Sequence, residues 1–227
     1  STSRRQRQMC IRDRTKINPS KPIQEENNMN WMQKDAQTSA QMEIAWQCAP
    51  VLTGVKPSNI LTLKNVSEKE VAESLKEMGI SYSMLCDSGA RKVWLIYREE
   101  EILEILGKKE YSEFLDTLGY QGFELPEMLQ IMNLRFEGYQ HGSAEFPHEL
   151  GIFLGYPLAD VKGFIEHNGK DFLYQGYWKV YENVEERKKM FSIYNVVKEE
   201  FIREMQAGKD LWHAARSVRQ PFDIQPA

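Results

Sequence analysis

Apolar residues recur along most of this chain at intervals of two or of three to four, and the switches between these periods mark out its elements. Met42, Ile44, Ala45 and Trp46 predict a first helix over 36–47, stopped where Pro50 pushes the residue before it toward an extended backbone. After a turn-rich connection, Gly54-Val55-Lys56-Pro57-Ser58, residues 59–64 read as a strand. Ser67 and Glu70 have the spacing of a capping box, and Val71, Leu75 and Met78 then form the buried stripe of a helix that Gly79 ends. Residues 80–86 and 92–97 predict two strands joined by Asp87-Ser88-Gly89-Ala90-Arg91, a loop of hairpin length.

Residues 99–106 and 108–118 carry leucine, isoleucine and phenylalanine among acids, the pattern of amphipathic helices lying on one face of a sheet, and 127–137 reads as another. Phe146-Pro147-His148-Glu149-Leu150-Gly151-Ile152-Phe153-Leu154-Gly155-Tyr156-Pro157 then predicts helix, tight corner, helix over 147–167. Pro147 suits a first helical position, Gly155 a terminator and Pro157 a second start, with Asn168-Gly169 as the final stop. Tyr174 to Tyr181 reads as one aromatic strand, with Tyr177 and Tyr181 on one side and Trp178 on the other. Met190, Tyr194, Val197, Phe201 and Met205 mark a long helix closed by Gly208. The expectation is an α+β fold: about four strands covered by several helices.

The ends read differently. Residues 1–34 are polar, without a sustained apolar period, and Arg4 to Asp13 resembles a translated sequencing adapter, so 1–34 is expected to be a non-native or disordered leader. Residues 35–210 form one expected globular domain, and 211–227 an expected tail. Setting aside 1–14 removes five arginines and one aspartate and takes the net charge from −4 to −8. An acidic surface repels phosphate backbones and anionic headgroups, which argues against nucleic-acid and membrane partners. Cys48 and Cys86 have neither a disulfide framework nor a zinc spacing, and no apolar run has the length of a membrane span, so a reducing, cytoplasmic compartment is expected.

Cys48-Ala49-Pro50-Val51-Leu52-Thr53-Gly54-Val55-Lys56-Pro57, the corner run with its Ala159-Asp160-Val161-Lys162-Gly163-Phe164-Ile165 continuation, and Gly176-Tyr177-Trp178-Lys179-Val180-Tyr181 together resemble a bacterial family, domain of unknown function 3793. The resemblance spans roughly residues 42–208. It implies a stand-alone cytoplasmic protein of anaerobic bacteria, and it brings no activity with it.

Candidate chemistry is sparse. His148 and Glu149 are the residue types of a metal or acid-base pair, but helical neighbours diverge by about 100° and no second metal-ligand spacing accompanies them, so no metal is expected. Cys48 is a candidate nucleophile with His148 as its possible activator; the alternative is a buried apolar thiol. Gly151 inside a helix costs about 1 kcal/mol relative to alanine, so it marks a notch for another helix or for a ligand. Lys56, Gly151, Tyr177 and Trp178 are the candidate cofactor-binding residues, in a site between the 48–56 turn and the corner, with the cofactor unspecified. A small-ligand-binding protein is the leading reading, ahead of an enzyme using Cys48 or His148. A regulatory or interaction module built on the corner ranks last, since the second corner helix carries only Lys162 as a permanent cation. The oligomeric state is left open.

Overall fold

The computed structural model describes residues 36–218, with side chains described from Ala40 onward. The expected leader, its adapter-like start and residues 219–227 lie outside the described residues. Helix α1 spans Ala36–Leu52. It runs through Pro50 and does not stop at residue 47 as the sequence suggests. The proline sits in the last turn, where its missing N–H forfeits only the bond to the carbonyl of Trp46, a solvent-facing residue. The α1 carbonyls of Val51 and Leu52 are then capped by the Arg98 guanidinium at 2.8 and 3.1 Å.

Strands β1 (Ser58–Lys64), β2 (Ser81–Asp87) and β3 (Arg91–Tyr97) form an antiparallel sheet of order β1-β3-β2, with Leu61 and Met84 both in register with Trp94. The free edge of β1 is occupied by the Gln47 side chain of α1, which both donates to and accepts from the Thr62 backbone at 2.9 Å. An amide side chain thus stands where another strand would pair. Helix α2 (Glu68–Leu75) has the predicted box, Ser67 and Glu70 each serving the other's backbone N–H.

Helices α3 (Glu99–Leu106), α4 (Lys109–Thr117) and α5 (Leu125–Gln140) follow, α5 along β2. The corner is α6 (Leu150–Phe153) and α7 (Leu158–Glu166). Its first helix is a single turn, because Pro147 opens a hydrogen-bonded turn ahead of it and does not occupy its first position. The aromatic stretch is not one strand but a separate hairpin, β4 (Tyr174–Gln175) and β5 (Lys179–Val180). The chain reverses across Gly176, Tyr177 and Trp178, and Phe191 fills the space a side chain at Gly176 would need.

Helix α8 (Val184–Gln206) buries Phe191, Tyr194, Val197 and Phe201. Residues 211–217, expected as tail, form α9 (Leu211–Ser217), whose Leu211 and Ala214, with the following Val218, are buried. Asp210 caps it by accepting from His213 N at 2.8 Å. On one face of the sheet, Leu61, Leu63, Trp94 and Ile96 pack with buried side chains of α1, α2, α8 and α9. Among the described residues no helix is long and apolar enough to cross a membrane.

Candidate functional site

Gly155 adopts φ +70°, which lets the chain turn between α6 and α7, and the side chain it lacks would overlap Pro57. Ser58 Oγ donates to the Phe153 carbonyl alongside. The corner is therefore docked on the 54–58 turn. Leu158 N, an orphan donor of α7's first turn, donates to Tyr111 Oη at 3.1 Å.

Docking leaves little open space between the two segments. A Cβ on Gly151 would lie 2.8 Å from Val161 Cγ2, so the predicted notch is filled by the corner's own second helix. Lys56 is 2 % exposed, its ammonium donating to Asn59 Oδ1 at 2.7 Å and lying 5.6 Å from the Tyr156 ring centroid. Tyr156 stacks on Trp178 at 4.5 Å, and Trp178 and Tyr177 both meet Phe191. Lys56, Gly151 and Trp178 thus share Tyr156, while Tyr177 joins them through Phe191 and donates to Asn195 Oδ1 at 3.0 Å.

His148 and Glu149 diverge. The His148 ring lies between Phe146 and Phe164, with centroids at 5.5 and 5.4 Å. Glu149 is buried and accepts from Arg135 Nη1 at 2.5 Å and from Tyr120 Oη at 3.2 Å. Burial first, then the Glu149 charge, pushes the Tyr120 hydroxyl far above its ordinary range. Cys48 is 0 % exposed in the apolar cluster of α1, Leu61 and Phe201, a surrounding different from that of His148, and no part of its thiol faces solvent.

A second buried carboxylate, Asp160 on α7, ties down the hairpin. It accepts from Trp178 Nε1 and Tyr181 N at 2.7 Å and from Glu182 N at 3.3 Å, with Arg187 Nε 3.8 Å away. This clip holds Tyr181 across α7. Gly163 makes room for it, since a Cβ there would stand 2.6 Å from Tyr181 Cγ. Tyr181 stacks nearly parallel to His167, at 5.6 Å and 14°, and donates to the Lys170 carbonyl at 3.0 Å. Asp171 faces His167 Nδ1 at 3.8 Å from a loop in which Asn168, Gly169 and Asp171 all have positive φ.

Beside these two rings runs an open groove of about 540 Å³ whose apolar lining includes Leu158, Ala159 and Leu173. Its other walls include Glu110, Glu166 and Glu182. A second open groove, of about 690 Å³, lies between the end of α2 and the first turn of α3. Among the described residues no group of three or more His, Cys, Asp and Glu side chains is placed to hold a metal ion. His167, Asp171 and Gly163 are not among the candidates the sequence offers, although the His167/Asp171 spacing across a helix stop is visible there. Asp160, Arg135 and Arg187 carried no such signal, because a buried charge looks like a surface charge in sequence.

A family model described as a protein of unknown function (DUF3793) matches residues 44–213, well over half of the chain. No curated protein and no solved structure matches it.

Proposed function

The chain belongs to the DUF3793 family, and from that premise we propose that it is a binding protein for a small molecule, held in the groove along α7. The carrying observation is the groove itself: about 540 Å³, within the usual range of ligand sites, with the stacked rings of Tyr181 and His167 along it. The hold of Asp160 on the Tyr181 backbone and the fit of its ring against Gly163 support the reading, since a side chain already placed spares a ligand the entropy of ordering it. The three positive-φ residues at one end support the same reading, since uncommon backbone conformations gather at ligand sites. The Cys48 nucleophile gains no support from a thiol enclosed in the core. Cys48 and Cys86, both buried and neither in a disulfide, support a reducing, cytoplasmic setting.

A fragment library screened by ligand-observed NMR tests the proposal against an Ala159→Trp variant, in which a lining residue of the groove becomes an indole that takes up its space. The expected result is a set of mutually competing fragments that Ala159→Trp no longer binds. Fragments that bind wild type and variant equally would move the site elsewhere and overturn the reading.

A further inference from the structure

The charges around the α7 groove carry the reading one step further, to the class of ligand. Of its titratable lining groups, Glu110, Glu166, Asp171 and Glu182 are acidic and Lys162 and His167 basic. Asp171 lies 3.8 Å from His167 Nδ1. Lys162 turns its ammonium over the Phe114 ring, 5.6 Å from the centroid. Glu110, Glu166 and Glu182 enter no ion pair among the described residues, so the groove presents carboxylates that its own cations do not neutralise.

An anion entering here would meet those carboxylates beside apolar lining. A bare metal ion needs converging ligands, and among the described residues no such group is placed. An organic cation meets both needs: its charge faces the carboxylates, and its carbon body covers Leu158, Ala159 and Leu173. The Tyr181 and His167 rings offer flat surfaces, and a tyrosine face attracts a cation within about 6 Å of its centroid. We infer that the occupant of the α7 groove is a small organic cation, an ammonium or guanidinium on a short aliphatic or aromatic body. This inference rests on the proposal that the groove is a ligand site, and it adds the ligand's charge.

Three probes of similar size separate the two ideas: tyramine as the cation, 2-(4-hydroxyphenyl)ethanol as the neutral analogue and 3-(4-hydroxyphenyl)propionate as the anion. Each is titrated calorimetrically into wild type, Ala159→Trp, the surface variant Leu173→Lys and the double variant Glu166→Gln/Glu182→Gln. Leu173 is 66 % exposed and the two glutamates are exposed, so these last variants keep the fold intact. Tyramine is expected to bind most tightly, to lose about tenfold in affinity in the double variant, as removal of two exposed attractions implies, and to weaken as salt rises. Leu173→Lys is expected to weaken tyramine more than the neutral probe, since both lose apolar contact but only tyramine meets the added positive charge. If the alcohol or the propionate binds as well as tyramine and is lost in Ala159→Trp, the groove is a ligand site and the cation inference is wrong. If no probe binds wild type, or if binding survives Ala159→Trp, the groove reading fails and takes the inference with it.

Discussion

The apolar core beneath the sheet and the corner-and-hairpin region are held together by different physics. Around Leu61, Trp94, Ile96 and Phe201 the contacts are almost wholly hydrophobic and come from four helices, so any side chain of similar volume serves about as well. The corner and hairpin share a small apolar cluster around Trp178, Val180, Phe191 and Tyr194 but depend as well on single polar atoms and absent side chains: Asp160 against Trp178, Tyr181 and Glu182, Gly155 against Pro57, Gly163 against Tyr181. The first region is expected to accept volume-conserving swaps, while the second leaves no room for a side chain at Gly155 or Gly163, and the groove lies beside it. Fold and candidate site thus make separate demands on the chain.

The strongest way to break this contrast is Asp160→Ala. It leaves the Trp178 and Tyr181 donors and the Arg187 charge without their acceptor, and a loss of about 3–5 kcal/mol is expected from urea unfolding. A loss below about 1 kcal/mol, small beside that figure, would mean that the hairpin is held by ring packing alone. Next comes a pair of glycines of like conformation. Gly155→Ala places a Cβ in the left-handed region and against Pro57, for an expected cost of about 3 kcal/mol. Gly79→Ala has positive φ with open space around it and should cost only about 1 kcal/mol. Equal costs would show that close approach at the corner contributes nothing.

In the apolar core, Leu61→Met should cost no more than about 1.5 kcal/mol by the same unfolding measurement, the usual limit for a volume-conserving swap. The smallest effect is a pH dependence. Burial holds the Lys198 ammonium down at about 8, against an ordinary 10.5, while the Trp46 face 3.7 Å away opposes that depression by favouring the charged form. Between these values the unfolded chain binds more protons than the folded one, so stability should rise from pH 8 toward pH 10, by about 1 kcal/mol. Above pH 10 the buried tyrosines Tyr120 and Tyr194, whose hydroxyls are pushed up, reverse the sign. Lys198→Met should flatten the rise.

Most of the apolar core was legible in sequence because its elements bury a periodic stripe, as α2 does with Val71 and Leu75 and α8 with Tyr194, Val197 and Phe201. The same signal ran through Leu211, Ala214 and Val218, which makes the expected tail a misreading of information that was present. Two features resisted for physical reasons. Pro50 looked like a stop but falls where the helix has only one bond to lose, and the 174–181 stretch looked like one strand until Phe191 claimed the space over Gly176. The site was less legible still. The sequence offers His148 and Glu149 as catalytic candidates and Gly151 and Trp178 as cofactor-binding ones; the neighbours the fold gives them include Phe146, Arg135, Val161 and Asp160, contacts that only the folded chain creates.

The most direct test of a ligand site on α7 is a titration of ¹⁵N-labelled protein with tyramine, following backbone amide shifts. Saturable shifts at Gly163, His167, Leu173 and Tyr181, with Lys76 to Tyr82 and Arg98 to Leu103 unmoved, are the predicted result. Shifts confined to the groove between α2 and α3, or spread without saturation over the acidic surface, would contradict it.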